Sequence, residues 1–330
     1  MEQCAVHNPA LLRPLLQDGQ PSGREYKGRF FQAMRCPHCA YITFPIPPTG
    51  LLDEYYANEY PQGSASWYNV ESDYSPWKTN SRSERIIEIA KRFGLKPGAT
   101  LHEFGCAFGG TVHQLNQRGF NTSGTELNAG AVEQGRSKGN DAIFAEDAVA
   151  YLTRTGIQPQ VIYSWHAIEH FTDPFSFIAD IKNLLAPDGI LILIAPSSAT
   201  RFSLVYGHMR YVWFGYPEHL HLFSPGCAPS LADRVGMRLV AVETAEYGIE
   251  PQATSAALRE ECEGAAWLNL ADSALLGEEL IMVLSNAAAV DPRSADIARR
   301  TTLKCETSAI IERQALNASE RSTLDPWRVR

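Results

Sequence analysis

The sequence predicts an α/β fold in which a mostly parallel sheet is covered by helices on both faces. Between residues 81 and 196, short apolar segments alternate with amphipathic ones, and alternation with short connections is typical of parallel sheets. The first apolar segment, at 101–104, runs into a glycine-rich turn at 105–110. An acidic residue, Glu126, follows about 20 residues later, which is the spacing of a nucleotide-binding βαβ unit.

The individual elements follow in order along the chain. Residues 83–94 have an amphipathic pattern that predicts a helix, with Ser81 or Ser83 as its N-cap and Gly94 beyond its end. The sequence further predicts a strand at 101–104, a helix at 110–118, a strand at 120–126, a helix ending at 138, and strands at 141–147 and from 161. A helix at 174–185 follows, and residues 183–197 contain its end, a turn and a fifth strand. The last predicted elements are a helix at 224–236 and strands at 238–244 and 279–285.

Composition divides the chain into three regions. Residues 1–61 are rich in Pro, Gly, Cys and Tyr with little helical periodicity. This composition predicts a small N-terminal module whose cysteines stabilise it. Residues 62–286 carry the α/β pattern, with a variable insertion at 251–277. Residues 287–330 form a polar C-terminal extension of mixed charge, in which 299–316 could form a helix.

Composition also limits the class of protein. The chain has 330 residues, of which 45% are apolar, and a net charge of −8. This charge argues against a nucleic-acid groove, which is usually basic, and favours a small-molecule substrate. The sequence has no apolar run of roughly 18 residues that could span a membrane, and its start lacks the features of a signal peptide. We therefore expect a cytoplasmic protein without membrane contact, whose oligomeric state is left open.

The glycine-rich turn has a distinctive spacing. Gly105 and Gly109 enclose three residues, Gly110 follows directly, and Glu103 lies two residues before the first glycine. This arrangement resembles motif I of class I S-adenosylmethionine (SAM)-dependent methyltransferases, [DE]-x-G-x-G-x-G, with Ala107 where the middle glycine is commonest. The resemblance extends over about residues 82–285. It implies a Rossmann-like, seven-stranded, mostly parallel sheet with an antiparallel last strand.

A SAM site must hold a ribose, an adenine and a zwitterionic methionine tail. At the end of the second strand, Glu126 can accept hydrogen bonds from both ribose hydroxyls, and the helix that begins at Gly110 offers N–H groups to the ligand's carboxylate. The resemblance implies that Asp147 and Ala148 meet the adenine, Glu103 the methionine ammonium, and His166 the cofactor. The expected cofactor-binding residues are Glu103, Gly105, Cys106, Ala107, Gly109, Glu126, Leu127, Asp147, Ala148 and His166.

Cysteines near the start of the chain predict a structural metal site. The knuckle Cys36-Pro-His-Cys39 and the segment Cys4-Ala-Val-His7 provide two pairs of ligands with the same spacing, which together make a tetrahedral Cys3His zinc site. The module resembles the N-terminal zinc ribbon of natural-product and sugar methyltransferases, in which cysteine is expected at His7. The fourth ligand therefore stays open between His7 and His38, and reduced thiols without a metal are the alternative.

Candidate catalytic residues lie in the segment Tyr216-Pro-Glu-His219, which follows the fifth strand. The segment resembles the Tyr-x-Glu-His-x-x-x-Phe-Ser stretch of zinc-ribbon sugar C-methyltransferases. That resemblance implies that Tyr216, Glu218 and His219 lie at the substrate, with His219 as the group that accepts or relays a proton. The alternative is a structural segment that leads into the next helix.

These observations predict a SAM-dependent methyltransferase that acts on a small-molecule acceptor, such as a natural-product or sugar-type intermediate, at an oxygen, nitrogen or carbon atom. A Mg²⁺-assisted mechanism of the catechol type is disfavoured, because residues 160–165 lack the acidic pair that such a site requires. The alternatives are a tRNA or protein methyltransferase and a SAM-binding or zinc-bridged interaction protein without catalysis.

Overall fold

The structure is a computed structural model that describes residues 4–17, 19–48, 50–56, 69–200, 203, 213–245, 275 and 277–286. The predicted C-terminal extension at 287–330, its helix at 299–316 and nearly all of the insertion at 251–277 lie outside the described residues. The predicted boundary between the N-terminal module and the α/β domain, at residue 61, lies outside them as well.

The central element is a seven-stranded sheet with the strand order β10-β9-β8-β11-β12-β15-β14. The bounds are β8 Thr100–Phe104, β9 Asn121–Thr125, β10 Ile143–Phe144, β11 Val161–Trp165, β12 Ile190–Pro196, β14 Arg238–Ala245 and β15 Glu279–Ser285. Neighbouring strands pair in parallel except for β15, which runs antiparallel to both β12 and β14. The predicted fold class is therefore confirmed, with β15, the last strand within the described residues, inserted between β12 and the edge strand β14.

Helices connect the strands. Their bounds are α1 Leu51–Glu54, α2 Val70–Asp73, α3 Pro76–Arg92, α4 Gly110–Gln117, α5 Ala129–Ser137, α6 Ala148–Thr155, α7 Pro174–Lys182 and α8 Ala228–Arg234. Short 3-10 helices lie at Pro9–Leu11, Ile168–His170 and Pro225–Cys227. None of the helices within the described residues is long and apolar enough to cross a membrane.

The predicted start of the first long helix is wrong. We expected Ser81 or Ser83 to cap this helix, but α3 begins at Pro76 with Ser75 as its N-cap. Proline at the first helical position needs no N–H partner and already has a helical φ, so the helix begins earlier than its apolar pattern indicates. Ser83 is buried in the helix interior, and the Ser81 hydroxyl donates back to the carbonyl of Lys78.

Each face of the sheet buries its own apolar core. Phe104 and Leu193 belong to a cluster on one face, whereas Leu101 and Ile192 belong to a cluster on the other. Successive side chains of a strand point to opposite faces, so strands that are covered on both sides are apolar throughout. Strand β12 is buried at every position, which explains its uninterrupted apolar sequence.

The N-terminal region consists of short strands that pack on the α/β domain. Their bounds are β1 Arg13–Pro14, β2 Leu16–Gln17, β3 Gln20–Pro21, β4 Gly23–Tyr26, β5 Arg29–Gln32, β6 Met34–Arg35 and β7 Ile42–Thr43. Strand β7 pairs antiparallel with β13, His221–Leu222, which lies between β12 and β14 in the sequence. The region is thereby joined by a shared sheet to the segment that carries His219.

Candidate functional site

A cavity of about 810 Å³ lies at the carboxyl ends of β8, β9 and β11. Ligands of open α/β sheets bind at this edge, where the strand order reverses. The cavity is lined by Tyr56, Asn69, Asp73, Lys78, Arg82, Glu103, Phe104, Gly105, Cys106, Ala107, Phe108, Thr125, Glu126, Leu127, Asn128, Glu146, Asp147, Ala148, Trp165, His166, Ala167, His170, Phe171, Thr172, Phe177 and Trp213. Most of the cofactor-binding residues expected from the sequence are therefore brought to one cavity.

The glycine turn allows close approach of the backbone. Gly105 and Gly109 both have positive φ angles, of 66° and 79°. A Cβ atom at Gly105 would lie 2.5 Å from the Cβ of Ala167, and one at Gly109 would lie 2.6 Å from Ile143. Ala107 also has a positive φ of 50°, a conformation that alanine adopts only at some cost. The two outer glycines are thus required by packing.

Glu126 lies at the end of β9 and is held against the glycine turn. Its Oε2 accepts the backbone N–H of Ala107 at 3.0 Å, and its Oε1 accepts that of Asn128 at 2.9 Å. Burial raises the pKa of this carboxyl, although these hydrogen bonds act in the opposite direction. Each oxygen keeps a second lone pair, so the carboxylate can also accept hydroxyl donors from the cavity.

Asp147 has a structural role as the N-cap of α6. Its Oδ1 accepts the backbone N–H of Ala150 at 3.0 Å, and Ala148 is the first residue of the helix. Both residues also line the cavity. The capping bond explains the position of the Asp147 side chain without a ligand.

One end of the cavity carries charged side chains that the sequence analysis missed. Asp73 accepts the backbone N–H of Gly110 through Oδ2 at 2.9 Å, and its Oδ1 lies 3.5 Å from Nη1 of Arg82. The start of α4 therefore already has an acidic partner, contrary to the expectation that its N–H groups meet a ligand's carboxylate. Lys78 and Arg82 instead supply positive charge at the cavity wall.

Burial shifts the ionisation of two groups at this end. Glu103 is buried and accepts the hydroxyl hydrogen of Tyr163 at 3.0 Å, and burial raises its pKa to about 8. Burial and the neighbouring Arg82 lower the pKa of Lys78 to about 8. Lys78 and Arg82 lie on α3 before the glycine turn, and their spacing of one helical turn was the available signal in the sequence.

His166 follows β11 and has a positive φ of 52°. Its Nε2 lies 3.1 Å from Oε1 of Glu279, an oxygen that also accepts the indole N–H of Trp165 at 2.9 Å. Burial lowers the pKa of His166. The structure therefore places this histidine on the cavity wall, with a carboxylate on its far side.

The other end of the cavity is rich in histidine. His170 lines the cavity, and its ring centroid lies 4.9 Å from that of His219. The Nε2 of His219 lies 3.7 Å from Oε1 of Glu218, whose Oε2 accepts the hydroxyl hydrogen of Tyr55 at 3.1 Å. Glu218 and His219 are therefore neighbours of each other beside His170, which is the residue of this group that lines the cavity at its histidine end.

Tyr216 lies apart from these two side chains. Its ring belongs to the apolar cluster under the N-terminal strands, with its centroid 4.3 Å from that of Phe31 and 5.2 Å from that of Phe44. Among the described residues, Tyr216, Glu218 and His219 are all absent from the cavity lining. The structure thus brings together two of the three predicted catalytic residues.

Three cysteines converge in the N-terminal region. The thiols of Cys4, Cys36 and Cys39 all lie within 4.8 Å of one another, and the three residues are buried. Hydrogen bonds from Cys39 and Cys4 lower the pKa of the Cys36 thiol. His7 lies outside the cluster, with its Nε2 3.3 Å from Oδ2 of Asp233.

Comparison with known proteins gives a family and a fold. Residues 79–242 match the family model described as a methyltransferase domain. The chain is similar in structure to the plantazolicin methyltransferase BpumL in complex with a triazolic desmethylPZN analog and SAH, with 12% identity, a TM-score of 0.50, and coverage of 72% of this chain and 95% of that one.

It also matches a SAM-dependent methyltransferase from Archaeoglobus fulgidus, with 15% identity, a TM-score of 0.48, and coverage of 69% of this chain and all of that one. No curated protein matches the chain.

Proposed function

Because residues 79–242 belong to the methyltransferase domain family and the chain is a SAM-dependent methyltransferase, we propose that it methylates a small-molecule acceptor. The observation that carries this proposal is a single cavity with a carboxylate at the glycine turn, a charged end and a histidine end. In this proposal the carboxylate would bind the ribose of SAM, the charged end its amino-acid tail, and the histidine end would lie near its reacting methyl group.

The chain's residues fit the cofactor. Glycines 105 and 109 let the turn pack closely against Ala167 and Ile143, and Gly105 lines the cavity where the cofactor would lie. Glu126 would accept the ribose hydroxyls, while Leu127 and Ala148 would flank the nucleoside, and Asp147 would meet the adenine. Cys106 and Ala107 belong to the same turn and line the same cavity.

The charged end would hold the zwitterionic tail. Lys78 and Arg82 would bind its carboxylate, because both are cations at the cavity wall. Glu103 would accept its ammonium group, and an ammonium beside Glu103 would favour the ionised carboxyl over the neutral form that burial favours. His166 would contact the cofactor from the end of β11.

The histidine end would receive the acceptor. SAM supplies an electrophilic methyl group, so the protein's main task is to align the acceptor atom with it. His219 would accept the acceptor's proton through Nε2, since its Nδ1 lies 2.7 Å from the carbonyl oxygen of Trp213 and donates to it. Glu218 would orient His219, and Tyr216 would support this segment from the apolar cluster beneath it.

The size and charge of the site support a small acceptor. Its volume is within the range of about 300–1,000 Å³ that small-molecule sites occupy, and the net charge of −8 disfavours nucleic acid. The aromatic side chains of Trp213, Phe171 and Tyr56 line the cavity. An acceptor with apolar or ring character fits these walls.

We also propose one structural zinc ion at Cys4, Cys36 and Cys39. Three converging buried thiols are the donor set that zinc prefers, and the Sγ of Cys36 accepts the backbone N–H of Ala5 at 3.4 Å. His7 would become the fourth ligand by exchanging Asp233 for the metal. Cys227 competes for this role, since its thiol is buried in the same apolar cluster.

Turnover tests the proposed acceptor class. The full chain would be incubated with SAM carrying a deuterated methyl group and with three pools: small metabolites, tRNA and proteins. The proposal expects the label in a small metabolite together with stoichiometric S-adenosylhomocysteine. Label found in tRNA or protein alone would contradict it.

A further inference from the structure

A second group of metal-binding side chains lies beside the cavity, apart from the three cysteines. One ligand atom each from Glu169, His170 and His219 lies within 4.8 Å of the other two. Glu169 and His170 end the 3-10 helix that follows β11, and His219 belongs to the segment before β13. The backbone N–H of Leu220 donates to the carbonyl of Glu169 at 2.9 Å, which holds the two segments together.

Glu169 is the member of this group whose surroundings most favour a bound cation. Its side chain is 0% exposed, and neither carboxylate oxygen has a hydrogen-bond partner on another of the described residues. Its Oε1 lies 3.9 Å from Nε2 of His170. A buried carboxylate without such partners is stable only when a proton or a cation neutralises it, so a cation bound to Glu169 would offset the cost of burying its charge.

The two histidines are oriented like metal ligands. His219 is 4% exposed and uses Nδ1 to contact the carbonyl of Trp213, which leaves Nε2 with its lone pair. His170 has its Nδ1 at 3.1 Å from the hydroxyl of Tyr56. Metal-binding histidines usually hold one ring nitrogen in such a contact, because this sets the ring orientation and the tautomer.

We propose that Glu169, His170 and His219 bind one divalent transition-metal ion. Two imidazoles and one carboxylate are the donor set of His2Glu zinc sites and of non-haem iron(II) sites. Magnesium and calcium are disfavoured, because they prefer oxygen ligands throughout. A bound ion would draw the three ligand atoms closer together, since metal–ligand distances of about 2 Å are required.

The site also has a consequence for the acceptor. Three protein ligands leave at least one coordination position, and His170 faces the cavity. An acceptor hydroxyl that fills this position would lose its proton more readily, which makes oxygen the favoured acceptor atom. This consequence rests on the proposed function, whereas the metal site does not. In the metal-loaded protein, Nε2 of His219 would bind the metal and could not also accept a proton. Glu218 would then accept the proton of the acceptor hydroxyl.

Cobalt(II) titration of the metal-free full chain tests the site. The cysteine cluster would give thiolate-to-cobalt charge-transfer absorption, while the Glu169 site would give d–d absorption alone. We expect two ions per wild-type chain and one ion, with the thiolate absorption retained, for Glu169→Gln and His170→Ala. The affinity of the second ion should fall at least about 100-fold, since even neighbours of ligands contribute 10- to 100-fold. His113→Ala, a histidine away from both clusters, should keep two.

The same samples distinguish the possible failures. A wild-type chain that binds only the thiolate-associated ion would overturn the proposal, as would a Glu169→Gln chain that keeps the second ion. Calorimetric binding of S-adenosylhomocysteine to each variant shows that its sheet domain is folded. If a variant fails this control, His170→Gln is tested in its place. A wild-type chain that binds the second ion but no S-adenosylhomocysteine would contradict the proposed function alone.

Discussion

The Oε2 of Glu126 accepts the backbone N–H of Ala107 at 3.0 Å. This bond joins the acid at the end of β9 to the turn at the end of β8, two elements that lie side by side in the sheet. The carboxylate is therefore positioned before any ligand arrives, so a ribose would need little rearrangement of the protein.

The first prediction concerns Lys78 and pH. Its pKa of about 8 means that the ammonium loses its proton as pH rises through 8 in the free protein. If Lys78 binds the ligand's carboxylate, affinity for S-adenosylhomocysteine should fall above pH 8. Lys78→Arg, which stays charged, should lose less affinity over this range. The ligand's own titration is common to both proteins, so identical pH profiles in calorimetry would remove Lys78 from the site.

The second prediction concerns Glu103 and stability. Its pKa is raised to about 8 in the folded protein, whereas the unfolded chain has the ordinary value of about 4.3. The folded state therefore binds more protons, and the stability of the ligand-free protein should fall as pH rises from about 4.3 towards 8. Glu103→Gln should flatten this slope. Denaturant unfolding at several pH values measures it, and an unchanged slope would mean that Glu103 is already ionised.

The third prediction concerns zinc. Elemental analysis of protein purified without chelator should find zinc, and Cys36→Ser should lose the ion at the cysteine cluster because one of three thiolates is removed. X-ray absorption on zinc at this cluster separates four sulfur ligands from three sulfurs and one nitrogen. Loss of the nitrogen signal in His7→Ala supports His7, whereas loss of a sulfur in Cys227→Ser supports Cys227. A Cys36→Ser protein with undiminished zinc would contradict the cluster.

The fourth prediction concerns the proton acceptor. His219→Ala should lower kcat by about 100- to 10,000-fold, the usual contribution of a positioned base, with little change in SAM affinity. His113→Ala is the matched control. Chelator treatment separates the two proposed roles of His219: as a base it should matter in the metal-free protein, whereas as a ligand it should matter only in the metal-loaded protein. Full turnover by His219→Ala in both conditions would make the residue structural.

Periodicity and the glycine spacing were sufficient to predict the sheet. Apolar strands buried on both faces, such as β12, are recognisable because every position is apolar, and positive-φ turns favour glycine at 105 and 109. The third strand is shorter than predicted, because only Ile143 and Phe144 pair with β9. Composition alone does not show at which residue the pairing between two strands ends.

The cavity was harder to predict. Lys78, Arg82 and Asp73 reach it because α3 and the residues before it cross this edge of the sheet, a tertiary arrangement without a local pattern. Glu169 is notable because its buried carboxylate has no hydrogen-bond partner among the described residues, which a sequence does not reveal. Tyr216 was assigned by its place in a motif, whereas its burial among the N-terminal strands depends on the pairing of β7 with β13.

Calorimetric titration of S-adenosylhomocysteine into the wild type, Glu126→Gln and Glu133→Gln tests the central claim most directly. Glu133 is exposed on α5 and serves as the control. Loss of a charged acceptor costs roughly 1.5–3 kcal/mol, so Glu126→Gln should bind about 10- to 150-fold more weakly, while Glu133→Gln should match the wild type. Equal affinity in all three proteins would contradict a ribose site at Glu126.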